Sequence, residues 1–100
     1  MSQLQTATLD ANDETMTSNV GGTERAFITM DFTSTITVTW TVSNLNGTTF
    51  IALRKSDDST AAAYTADDYL MVDGPVTLKA TASAVSGGSC AIQARTAFVN

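Results

Sequence analysis

The chain has 100 residues, 43% hydrophobic and 15% charged, with ten acidic side chains against five basic ones, no histidine, one cysteine and a formal charge of -5. That composition fits one folded domain and not a disordered tail. It excludes an internal disulfide and any Ser-His-Asp or Cys-His mechanism, and it disfavours nucleic acid, because scattered Arg25, Arg54, Lys55, Lys79 and Arg95 sit in an acidic background that repels phosphates.

In chain order, Leu4 to Leu9 alternates weakly, with Leu4, Thr6 and Thr8 against Gln5, Ala7 and Leu9, and ends in the turn formers Asp10-Ala11-Asn12-Asp13. Thr15 to Val20 reads as a second polar strand stopped by Gly21-Gly22. Residues 1–24 are therefore expected to be an N-terminal arm or pair of edge strands, with the sandwich core in 25–100. From Arg25 the apolar content rises: Ala26, Ile28, Met30 and Phe32 share one face, and Thr33-Ser34 is expected to reverse the chain.

The clearest signal follows. Thr35 to Val42 alternates strictly, with Ile36, Val38, Trp40 and Val42 on one face and four threonines on the other, a period that only a strand can use. β-branched residues on both faces suit extended backbone. Trp40 is the expected anchor of the core. Asn46-Gly47 supplies the positive φ angles of a tight hairpin leading into Thr48–Leu53.

Arg54 to Asp68 breaks the alternation and reads as a long loop, or a loop with one helical turn. Tyr69 to Val72 regains strand character, and Asp73-Gly74-Pro75 makes a corner. Then Val76, Leu78, Ala80, Ala82 and Ala84 alternate with Thr77, Lys79, Thr81 and Ser83, the small alanines allowing a facing sheet to come close. Ser86-Gly87-Gly88-Ser89 is expected to turn the chain into Cys90–Val99, with Cys90, Ile92, Ala94, Thr96 and Phe98 on one face. Six to eight short strands without an amphipathic helix predict an all-β protein, an antiparallel sandwich or jelly roll.

Groups that could carry chemistry each have a plainer role. Cys90 opens an alternating strand, with no base or helix end to make a thiolate, so it reads as a small buried side chain. Asp57-Asp58 and Asp67-Asp68 lack the rhythm of a calcium loop and read as a solvated acidic loop. Asn46-Gly47-Thr48 matches a glycosylation triplet but is explained by the hairpin. The threonine row would suit ice binding only if neighbouring strands repeated it, and Tyr64 with Tyr69 could form a sugar platform or be half-buried. No catalytic residue, metal ligand or cofactor is expected. No apolar run is long enough to cross a bilayer, and the opening Met1–Gln5 lacks a secretory pattern, so synthesis in a cytoplasm is expected.

Several stretches together resemble the small β-sandwich virion structural proteins of tailed bacteriophages: Leu9-Asp10-Ala11-Asn12-Asp13-Glu14-Thr15, Val20-Gly21-Gly22 leading into Arg25-Ala26-Phe27-Ile28-Thr29, and Tyr64-Thr65-Ala66-Asp67 leading to Asp73-Gly74-Pro75-Val76-Thr77-Leu78-Lys79-Ala80. The resemblance implies a non-enzymatic capsid decoration or cement protein on the capsid exterior, bound to the major capsid protein or other virion proteins, as a homo-oligomer with a trimer favoured. A tail, neck or fibre module binding a glycan or receptor is the alternative. Composition independently suits a part that acts by burying sheet surface and open edges. The expected interface lies in the first segment, at Leu4, Thr6, Thr8, Leu9 and Met16.

Overall fold

The computed structural model describes residues 3–53 and 62–98, and every regular element among them is a strand. These are β1 (Gln3–Leu9), β2 (Thr15–Val20), β3 (Glu24–Ser43), β4 (Ile51–Ala52), β5 (Ala63–Tyr64), β6 (Asp68–Asp73) and β7 (Val76–Phe98). All pairings are antiparallel. The predicted all-β, sandwich-like fold is the one observed.

Its frame is a ribbon of two unusually long strands. β3 and β7 pair from Glu24↔Phe98 through to Ser43↔Thr77, with register shifts around Thr35, which faces both Ser86 and Gly87. A straight 20-residue strand would run roughly 66 Å, yet the longest dimension of the molecule is 40 Å. The ribbon therefore folds over at this bulge, where Ser34, Ala84 and Gly87 all have positive φ. The indole of Trp40 makes the same point: its Nε1 donates to Met30 Sδ at 3.3 Å, whereas ten residues along a straight strand span roughly 33 Å.

Folding the ribbon makes two layers. In the first, the later part of β7 lies between β1 and the early part of β3, and β6 flanks β3. In the second, the early part of β7 lies between β2 and the later part of β3, which also carries β4 and β5. The inner faces supply the core: Leu9, Ala26, Ile28, Met30, Cys90, Ile92 and Ala94 from one layer, Met16, Val20, Ile36, Val38, Trp40, Leu78, Ala80 and Ala82 from the other. Trp40 has Ala80 as its register partner and Val38 has Ala82. Small residues thus stand beside the largest one, as close packing of layers requires.

The expected edge strands are present, and both are integral to the layers. β1 and β2 each pair along their whole length with β7, and the turn between them is tied to the bend of that strand: Asp13 N donates to Ala82 O at 2.9 Å and Val85 N to Asn12 Oδ1 at 3.0 Å. Glu14 braces the turn from within by accepting from the backbone N–H groups of Asp10 and Ala11 at 2.7 and 2.9 Å. These bonds hold the Glu14 carboxyl below its ordinary pKa, the Asp10 N–H first among them, while the neighbouring Glu14 raises Asp10.

Three expected turns differ. Thr33-Ser34 does not reverse the chain, and Ser86–Ser89 does not separate two strands, because both lie at the ribbon's bend inside continuous β3 and β7. The expected Asn46-Gly47 hairpin turn is displaced: Gly47 N donates to Asn44 O at 2.6 Å, closing a turn over Asn44–Gly47 in which only Asn46 has positive φ (60) and Gly47 does not, and the strand after it is only Ile51–Ala52. Ala84 and Phe98 are exposed instead of inward, Ala84 because the bulge interrupts the alternation and Phe98 because β7 ends there. The far corners, Gly21-Gly22 and Gly74-Pro75, pack against each other, so a Cβ on Gly74 would collide with the backbone oxygen of Gly21.

Candidate functional site

β1 is the outermost strand of the first layer, hydrogen-bonded to β7 on one side, with no strand on its other side among the described residues. Its seven residues, Gln-Leu-Gln-Thr-Ala-Thr-Leu, contain no charge, proline or glycine. Edge strands usually carry such features because open N–H and C=O groups template unwanted pairing. β6, at the opposite edge, begins and ends with aspartate. β2 is likewise free of charge, proline and glycine, but one of its backbone acceptors is taken by a side chain, Gln5 Nε2 donating to Thr17 O at 2.8 Å. β1 is the longest edge strand without such features.

Of the expected interface residues, Leu4, Thr6 and Thr8 lie on the exposed outer side of β1, with Leu4 53% exposed. Leu9 and Met16 point into the core and are 3% and 4% exposed, so they anchor the edge strands and their side chains face no neighbour. Behind the edge, a cleft of about 320 Å³ opens between β1 and β2, lined by Leu4, Gln5, Thr17, Ser18, Asn19, Ala94 and Thr96. The Thr96 hydroxyl is buried and has no hydrogen-bond partner among the described residues.

The register brings together a cluster that strand-by-strand reading does not show. Leu4, Arg95, Phe27 and Met71 fall in one cross-strand row over β1, β7, β3 and β6. Phe27, Tyr69 and Met71 are 43%, 56% and 56% exposed, and the Phe27 and Tyr69 rings lie 5.6 Å apart at a 35° tilt. Arg25 and Asp73 border the row in a forked ion pair of 2.6 and 3.3 Å. The pairing holds the Asp73 carboxyl below its ordinary pKa and the Arg25 guanidinium above its own. Alternation alone places Phe27, Tyr69, Met71 and Arg95 outward; only long-range pairing places them side by side.

Other candidates fall where the plainer readings put them. Burial pushes the Cys90 thiol up to about 11, which keeps it protonated and unreactive at neutral pH. Asp67 accepts from Phe32 N at 2.6 Å and Asp68 from Tyr69 N at 2.8 Å, so both brace the backbone. Asp57 and Asp58 lie outside the described residues. Asn46 is held at its turn by Thr77 Oγ1, which accepts from its backbone N–H at 2.8 Å.

Tyr64 packs inward on β5, where burial raises its pKa, whereas Tyr69 stands on the outer side of β6 in the other layer, so the two form no common platform. The threonine row does extend across strands, through Thr15, Thr81 and Thr39. The next row, Thr17, Lys79 and Thr41, is interrupted by Lys79, whose ammonium sits 4.5 Å over the Phe50 ring. Among the described residues no helix is long and apolar enough to cross a membrane. Comparison with family models, curated proteins and solved structures finds no match to this chain.

Proposed function

We propose that this chain is a non-enzymatic virion structural protein of a tailed bacteriophage, a capsid decoration protein that grips the outer lattice and stiffens the head. The observation that carries the reading is the bare edge of β1, seven uncharged residues with one side of the backbone unpaired among the described strands. A strand of a neighbouring subunit laid along it would gain main-chain hydrogen bonds, and symmetry multiplies such contacts over a lattice. The resemblance of the turn and strand segments to phage virion proteins supplies the context.

The experiment mixes purified protein with undecorated phage heads and follows co-sedimentation. Wild type is expected to bind, and Thr6→Lys with Thr8→Lys, which place charge on the exposed side of the edge, is expected to lose binding with its melting temperature retained. Equal binding by wild type and the double variant refutes the edge. No binding by wild type refutes the decoration reading.

A further inference from the structure

The aromatic row on the outer face of the first layer is a second surface, which adjoins the bare edge at Leu4 and runs from there across β7, β3 and β6. Four side chains at roughly half exposure leave about 300–500 Å² of apolar surface, as large as the largest patch on a typical monomer. Phe, Tyr, Met and Arg are the residues enriched at the centres of protein interfaces. An arginine stands inside the row: Arg95 is flanked by Leu4 on β1 and Phe27 on β3.

Charge narrows the partner. Both arginines among the described residues, Arg25 and Arg95, are on this face, in a chain with net charge -5. Arg25 is committed to Asp73 by two contacts, while Arg95 has no ion pair among the described residues. We propose that this face docks a protein segment presenting a carboxylate ringed by apolar side chains, the carboxylate taken by Arg95 and the ring seated on Phe27, Tyr69, Met71 and Leu4. A guanidinium accepts a carboxylate in a two-point fork, and surrounding apolar contacts exclude water from it. The acidic remainder of the chain repels polyanions, so the partner is acidic at one spot, not throughout.

The test selects a random peptide display panel on the wild-type protein, and measures the enriched peptides, made synthetically, by titration against the amide spectrum. Expected are peptides with a single Glu or Asp between apolar residues, shifting Phe27, Tyr69, Met71 and Arg95. Replacing the acid by its amide, or Arg95→Glu in the protein, is expected to weaken binding at least about 10-fold, with the melting temperature of the variant unchanged. Basic or uncharged peptides, shifts confined to another face, no enrichment, or affinity indifferent to Arg95→Glu would each overturn it. Concentration-dependent dimerisation that Arg95→Glu abolishes would assign the face to a second copy and overturn it too. Particle binding plays no part in these measurements, so their outcome is separate from that of the decoration reading.

Discussion

Two adjacent glycines at the bend of the ribbon separate two causes of destabilisation. Gly87 has φ +71 and open space around it, so Gly87→Ala meets no atom within 4 Å but must hold an alanine in the left-handed region. That conformation costs an L-residue about 1–2 kcal/mol. Gly88 has no positive φ, but a Cβ there would collide with the backbone O, C and N atoms of Thr35 on the facing strand. Backbone cannot rotate away as a side chain can, so the bend itself must open. Gly88→Ala should therefore exceed the about 1–3 kcal/mol of ordinary overpacking. With about 4–8 °C lost per kcal/mol in a domain of this size, Gly87→Ala should melt about 4–16 °C below wild type and Gly88→Ala further below that. Thermal unfolding followed by circular dichroism, with urea midpoints as a check, measures both. A Gly88→Ala variant as stable as Gly87→Ala would refute the close approach of β7 to Thr35 and with it the folded ribbon.

Trp40, 0% exposed, should cost about 3–5 kcal/mol when replaced by alanine; a near-native melting temperature would mean that the strand faces are inverted. Cys90 should resist a thiol reagent at pH 8 in the native protein and react fully in denaturant, because burial raises its pKa to about 11; fast native labelling would contradict its place between the layers. Asp73, lowered first by its hydrogen bond from Arg25, contributes stability above the pKa it has when unfolded and loses it as pH falls through its lower folded value. Carbon-detected NMR titration should show Asp73 moving up towards the ordinary carboxylate range in Arg25→Ala, and an unmoved midpoint would refute the pairing.

Local chemistry is legible in this sequence and long-range pairing is not. The inward faces of β2, β3 and most of β7 follow from a period of two, since a one-residue slip would turn Trp40 and Ile28 to solvent. The edge position of β1 follows from its thin apolar content. What strand alternation hides is the bend: Thr33-Ser34 and Gly87-Gly88 look like hairpin turns, because a turn and a bulge both call on residues that tolerate positive φ. Only the facing strand decides between them, and here each bend is matched by the other across the ribbon. The same gap hides the Arg95 row, whose four members come from strands far apart in the chain. Leu9 and Met16 show the converse error, in which an edge strand's apolar side chains look available to a neighbour but close the core.

Because β3 and β7 each pass through both layers, neither layer is a unit of its own. The chain moves from β1 in the first layer to β2 in the second, returns for the start of β3, crosses within it, and repeats the exchange between β6 and β7. Opening one layer would tear the strands that build the other, so unfolding should be all-or-none and local opening should be confined to the loops and strand ends. Completing the ribbon must join residues far apart in the chain, such as Ala26 and Thr96, which places folding among the slower, non-local topologies.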